Sequence, residues 1–179
     1  PAYPAYEGLA KLCGATARRV LLSGEFRWTA EQLQSAVTPR TKIIVLSAPS
    51  NPLGLADDPT ELRKLADWAK SRDIWLVSDE IYRELYFKSP PLSIATLSSR
   101  TIVVGGLSKS CAMTGQRLGF VLAPAQIVTA IWPLIQLSVT CAPTFAQCLA
   151  LEAFNEPRFM QQHRAIYAAR WQHAKQVLD

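Results

Sequence analysis

A chain of 179 residues, 49% hydrophobic and only 18% charged, can bury one real core and is too apolar to be mainly solvated surface. The formal net charge of +5 and isoelectric point near 9.2 admit an anionic partner, but the basic residues are scattered (Arg18 and Arg19, Arg63 and Lys64, Arg158, Arg164, Arg170). Without a dense or aromatic-interleaved basic stripe, nucleic acid is not the expected partner. Cys13, Cys111, Cys141 and Cys148 form no CxxC, and with His163 and His173 they show no metal-ligand spacing, so a reduced, cytoplasmic setting is the simplest reading.

In chain order, Arg18–Leu22 is the first candidate strand. A helix over Thr29–Val37 follows, with Thr29 as N-cap and Glu31 in the first turn. The β-branched run Lys42–Ser47 reads as a buried strand ending in the turn cluster Ala48-Pro49-Ser50-Asn51-Pro52-Leu53-Gly54. Pro59–Ser71 carries Leu62, Leu65, Ala66 and Ala69 at helical spacing. Strands are expected at Ile74–Val77, closing on Asp79, at Leu85–Phe87, at Thr101–Val104 and at Arg117–Ala123. Helices are expected near Ala125–Gln136, Pro143–Phe154 and Glu156–Val177.

No charged residue occurs from Leu118 to Leu151, long enough to raise a membrane span. Pro124, Pro133 and Pro143 break the run and Gln126, Gln136 and Gln147 interrupt it, so no membrane is expected. The segment reads instead as a buried strand and helix, in part a subunit interface. The alternation of strands and helices implies an α/β fold with a mainly parallel sheet and flanking helices. The chain opens without a start methionine or basic leader and stops inside a helical pattern, so a piece of a longer protein, cut at both ends, is expected.

In open α/β sheets, ligands gather beyond the carboxyl ends of the strands. Asn51, Asp79 and Lys109 each follow such an end. Taken singly, each has a plainer explanation: a turn former, a helix N-cap, a solvated lysine. The context of Lys109 argues otherwise. Gly105 and Gly106 precede it, allowing close backbone approach to a ligand, and Arg117 follows, a guanidinium suited to phosphate.

The segment Gly106-Leu107-Ser108-Lys109 through Ala112-Met113-Thr114-Gly115-Gln116-Arg117-Leu118-Gly119 resembles the cofactor-lysine signature of class I/II aminotransferases, pyridoxal-phosphate enzymes of the aspartate-aminotransferase type, fold type I. Ser50-Asn51-Pro52-Leu53-Gly54 resembles that family's Asn-Pro-Thr-Gly turn, and Ser78-Asp79-Glu80-Ile81-Tyr82 its Asp-Glu-x-Tyr strand end. Pro1-Ala2-Tyr3-Pro4-Ala5-Tyr6 fits its aromatic turn, so the motifs run in order along nearly the whole chain.

The resemblance implies a large cofactor-binding domain over residues 1–155, incomplete at its N-terminus, with 156–179 a helix leading toward a small domain. It implies pyridoxal 5'-phosphate as cofactor, amino acid and 2-oxo acid substrates, and a homodimer in the full-length protein. Lys109 would form the internal aldimine and then shuttle a proton. Asp79 would pair with the pyridine nitrogen, Tyr82 and Asn51 would bond the phenolic oxygen, and Tyr3 would stack on the ring. Arg117 would bind the phosphate, with Ser108 an extra donor.

Three positions depart from the pattern: Leu53 replaces the usual threonine, Gln116 a tryptophan, and Gly106 a serine that helps bind phosphate. Another enzyme of the same fold, such as a carbon–sulfur lyase, shares these contacts, as does an aminotransferase-like sensor domain of a transcription regulator. The 179 residues alone are expected to turn over little or no substrate, because the segments that position it are absent.

Overall fold

The computed structural model describes residues 2–22 and 24–178. The chain is α/β, with a mainly parallel sheet and flanking helices, and divides into two compact units. The first runs to Glu80 and includes Pro91–Val103; the second takes Ile81–Pro90 and everything from Val104.

In the first unit, helices α1 (Ala5–Leu12), α2 (Ala30–Ser35) and α3 (Pro59–Ser71) accompany strands β1 (Ile43–Ser47) and β2 (Trp75–Asp79) and the start of β3 (Thr101–Gly106). Helix α2 begins with a capping box: Gln32 N–H donates to Thr29 Oγ1 at 3.3 Å, and Thr29 N–H to Gln32 Oε1 at 2.9 Å. Helix α3 begins where Asp58 accepts from the backbone N–H groups of Thr60 and Glu61, with Pro59 preset for the first turn. Those two bonds to the charged carboxylate hold Asp58 below the usual carboxyl range. The backbone N–H of Ala30 donates to Glu61 Oε2 at 2.6 Å, tying the start of α2 to the first turn of α3.

Strands β1 and β2 pair in parallel, with Ile43 opposite Trp75 and Ser47 opposite Asp79; β3 lies on the other side of β2. On β2 the alternation of side chains buries Leu76 and Ser78. Leu62, Leu65, Ala66 and Ala69 of α3 pack with Leu46, Leu76 and Ile94 to form the core of this unit.

In the second unit the end of β3 runs beside β4 (Gly119–Leu122), followed by α4 (Ala125–Ser138), α5 (Thr144–Asn155) and α6 (Pro157–Leu178). Its small core joins Leu107 and Cys111 to Ala150 and Ala153 of α5. Arg164 of α6 anchors that helix, with its guanidinium 4.4 Å from the Tyr86 ring centroid and donating to the Glu84 carbonyl at 3.3 Å.

Three expectations are corrected. Residues 18–22 form no strand; Leu21 is 88% exposed, so the apolar run has no core to face. Residues 85–87 form none either, because the chain has just turned through Tyr82–Leu85 and Phe87 points to solvent. The uncharged stretch is not a buried strand and helix: every β4 residue is exposed and α4 buries none of its residues. No helix among the described residues is long and apolar enough to cross a membrane.

Two outcomes follow. Leu65 is fully buried, so Leu65→Ala should lower unfolding stability by about 3 kcal/mol in denaturant titration; a loss near zero would contradict this core. Asp57 accepts a hydrogen bond from Trp28 Nε1 at 2.8 Å, yet burial above all, with the Glu80 charge adding, pushes its carboxyl up to about 6. The folded chain thus keeps this proton to higher pH than the unfolded chain, so the contribution favours folding at low pH and is lost as pH rises through about 6. Asp57→Asn, which keeps the acceptor oxygen, should therefore gain stability relative to the parent as pH rises across that window; a gain on acidification would contradict it.

Candidate active site

The first unit presents Asp79 at the carboxyl end of β2. Its carbonyl accepts from Ala48 N–H at 3.1 Å, continuing the ladder just past Ser47. Its carboxylate Oδ2 accepts from the Tyr6 hydroxyl at 2.7 Å. Ser47, opposite Asp79 in the β1–β2 register, lies near the same phenol. Burial drives the Tyr6 phenol well above the ordinary tyrosine range, Ser47 opposes that shift, and the Asp79 charge adds to it. The Tyr3 ring meets the Tyr6 ring edge-on, centroids 5.6 Å apart and planes at 74°.

Asn51 follows β1 in a turn closed by Ser50, whose N–H donates to the Leu55 carbonyl at 2.9 Å and whose hydroxyl accepts from Leu55 N–H at 3.1 Å. Gly54 completes this turn at φ +67°, a conformation that favours glycine. Glu80, beside Asp79, accepts from the hydroxyls of Ser93 at 2.7 Å and Ser78 at 3.1 Å, and so knits the end of β2 to the segment after Pro91.

The second unit carries Lys109 in a tight turn directly after β3. Cys111 and Met113 N–H groups both donate to the Leu107 carbonyl, at 3.0 and 3.4 Å, which doubles the chain back on itself. Buried Leu107 and Cys111 pin the turn on either side of half-buried Ser108 and Lys109. The lysine Nζ lies 6.0 Å from the Tyr82 ring centroid, at the outer edge of cation–π contact, about 6 Å. Arg117 ends a short 3-10 turn (Thr114–Gln116) in the left-handed region at φ 54° and donates to the Thr114 carbonyl at 2.9 Å; Ala112 is also left-handed, at φ 52°.

Gly105 and Gly106 do not make room for a ligand, as the sequence suggested. A Cβ at Gly105 would fall 2.5 Å from two Phe120 ring carbons, and one at Gly106 would meet Ile81 Cδ1 at 3.0 Å and the Leu118 carbonyl at 3.2 Å. The close approach they permit is that of β4 and Ile81.

Among the sequence candidates, then, Tyr3 is joined to Asp79 through Tyr6, and Lys109 lies beside Tyr82. Asn51 stands in the turn after β1, Ser108 in the lysine turn, and Arg117 is exposed and bonded to its own turn. Tyr6 is the residue that sequence reasoning missed. Its signal was a second aromatic three positions after Tyr3, at the start of an apolar-periodic stretch.

The family model described as aminotransferase class I and II matches residues 1–179. A probable N-acetyl-LL-diaminopimelate aminotransferase of Bacillus subtilis is 46% identical over 155 residues, covering 86% of this chain and 39% of that protein. An aspartate aminotransferase of a Bacillus species is 36% identical, covering 88% of this chain and 42% of that one. Among solved structures, an aspartate aminotransferase double mutant of Thermus thermophilus superposes with a TM-score of 0.90 at 32% identity, covering 95% of this chain and 46% of that one. The chain thus spans well under half the length of the curated relatives it matches.

The packing of Gly105 yields a further outcome. Gly105→Ala should cost about 1–3 kcal/mol of stability, and much less in a Phe120→Ala background, where the obstructing ring is gone. Equal costs in the two backgrounds, measured by thermal unfolding, would contradict the contact.

Proposed function

This chain belongs to the class I and II aminotransferases, and from that premise we propose that its complete protein binds pyridoxal 5'-phosphate and transfers an amino group between an amino acid and a 2-oxo acid. The observation that carries the reading is the half-buried Lys109 amine over the Tyr82 ring, in the turn that bears the family's lysine signature.

The donor set fits the cofactor group by group. The Asp79 carboxylate, held by Tyr6, suits a cationic ring nitrogen. The Tyr82 phenol and Asn51 amide suit the ring oxygen. Arg117, with four of its guanidinium donors in excess of any single bond to Thr114, suits the phosphate, aided by the Ser108 hydroxyl. Tyr3 offers an aromatic face.

When bound, the cofactor supplies an electrophilic carbon for the amine and a ring that accepts the electron pair left at the substrate's α carbon. Asp79 keeps the ring nitrogen protonated by placing an opposite charge beside it. Tyr82 and Asn51 orient the ring by donating to its oxygen. Arg117 and Ser108 fix the phosphate end. Lys109 is the covalent anchor, and its free Nζ moves the proton at the substrate's α carbon.

The same proposal includes a homodimer in the reducing cytoplasm. Exposed apolar side chains on α4, Trp132, Leu134 and Leu137 among them, support self-association, and the four free cysteines support a reducing setting. A monomer in sedimentation of the complete protein would count against the dimer.

Borohydride treatment of the complete protein with pyridoxal 5'-phosphate should leave the reduced label on the peptide containing Lys109. Lys109→Ala should lose that label and drop turnover by about a thousandfold or more. A label on any other lysine, with Lys109→Ala still active, would refute the assignment.

A further inference from the structure

Helix α6 fully buries none of its residues, yet Met160 and Arg164 are half-buried and, four positions apart, share one face of it. Met160 packs against Leu107, Cys111, Ala150 and Ala153, the core that pins the lysine turn. Arg164, with 19% of its side chain exposed, grips the turn that begins with Ile81 and Tyr82. Its Nη1 donates to the Glu84 carbonyl at 3.3 Å and lies 3.6 Å from Glu84 Oε2. The guanidinium carbon stands 4.4 Å from the Tyr86 ring centroid. Leu85 N–H closes the turn onto the Tyr82 carbonyl at 2.9 Å, and Arg83 Nη1 meets the other Glu84 oxygen at 2.9 Å.

We propose that Arg164 is a positioning residue for Tyr82: it clamps the Tyr82 turn to α6 while Met160 seats the same helix face on the lysine turn, so the phenol and the Lys109 amine keep a fixed separation. This rests on reading Tyr82 as a donor to the cofactor's ring oxygen.

The physical basis lies in what holds each end of the turn. At its start Ile81 lies against the backbone of Gly106, within the space a side chain there would need. Past its end the chain runs out to Phe87, 57% exposed, which offers no apolar anchor. Arg164 supplies the hold at that end. A guanidinium can donate from its edge to a carbonyl while its face lies on an aromatic ring, a combination that an ammonium does not offer. Without it the Glu84 carbonyl loses its donor and the turn opens locally more often. A displacement of about 1 Å is enough to break a hydrogen bond from the phenol.

The test uses the complete protein, freed of cofactor and then titrated with pyridoxal 5'-phosphate. Four proteins are compared: the parent, Arg164→Met, Tyr82→Phe and the double variant. Arg164→Met keeps an unbranched stem and removes the guanidinium. Before cofactor is added, amide hydrogen exchange over residues 81–86 should be about tenfold faster in Arg164→Met, with residues 107–113 unchanged because Met160 is intact. Cofactor affinity, followed by quenching of tryptophan fluorescence, should fall about tenfold, the size of one lost hydrogen bond. In the Tyr82→Phe background the same substitution should cost little, because the oxygen it positions is gone.

Unchanged exchange over 81–86, or an affinity loss of equal size in both backgrounds, overturns the role of Arg164. Should Arg164→Met fold poorly, Arg164→Lys is compared in the same two backgrounds and must show the same pattern; parent-like exchange and affinity in it overturn the proposal. If Tyr82→Phe alone binds the cofactor as the parent does, the reading of Tyr82 fails and this proposal with it. That outcome is distinct from failure at Arg164, where Tyr82→Phe still loses affinity.

Discussion

The parallel register that sets Ser47 of β1 opposite Asp79 of β2 governs what the first unit can do. Side chains alternate along a strand, so a slip of one residue would send Trp75, Val77 and Asp79 inward and expel Leu76 and Ser78. Fully buried Leu76 and Leu65 resist that slip. So does the capped helix α3, which presents its apolar stripe to the same core. With the register fixed, the strand ends bring a carboxylate and a hydroxyl side by side, and α1 adds a phenol bonded to the carboxylate. The Tyr6–Asp79 contact is therefore a consequence of hydrophobic packing several residues away.

The second unit reaches its geometry by different means. The lysine turn includes one non-glycine residue in the left-handed region, Ala112, and Arg117 adds another shortly after it. Each such residue costs on the order of 1–3 kcal/mol, and a turn of this kind persists only where its surroundings over-determine it. Here the surroundings are Leu107 and Cys111, buried against Ala150 and Ala153, with Met113 and Leu118 packed around them. Glycines at 105, 106 and 119 let β3 and β4 approach so closely that a methyl group would collide at Gly105 and be tight at the other two. The burial of Leu107 and Cys111 holds a half-buried amine, Lys109, between them and beside an aromatic face.

Much of the fold was legible in the sequence. Helix α3 matches its expected span because Asp58, Pro59 and four apolar residues at helical spacing all point the same way. Strands β1, β2 and β3 begin and end within a few residues of their apolar runs. Helix α1 escaped notice because Gly8, a weak helix former, lies inside it and because its apolar positions bury no residue; the Glu7–Lys11 pair at 3.2 Å spans one of its turns. Short apolar runs misled where no partner strand or core awaited them, at residues 18–22 and 85–87. The exposure of α4 and β4 was hidden because hydrophobicity reports what wants burial, not what is present to bury it. For the site, the residue types at the strand ends could be read directly. The glycines were read for a ligand when their space belongs to Phe120 and Ile81. The Tyr6–Asp79 bond could not be read, although the second aromatic could, because the two residues lie 73 positions apart and only the tertiary fold joins them.

The central claim is that the Asp79 carboxylate holds a proton on the ring nitrogen of the cofactor bound through Lys109. It is tested most directly by the chemical shift of that nitrogen, using ¹⁵N-labelled pyridoxal 5'-phosphate bound at saturation to the complete protein at neutral pH. We expect the protonated shift in the parent and the unprotonated shift in Asp79→Asn. The same shift in both proteins would contradict the claim.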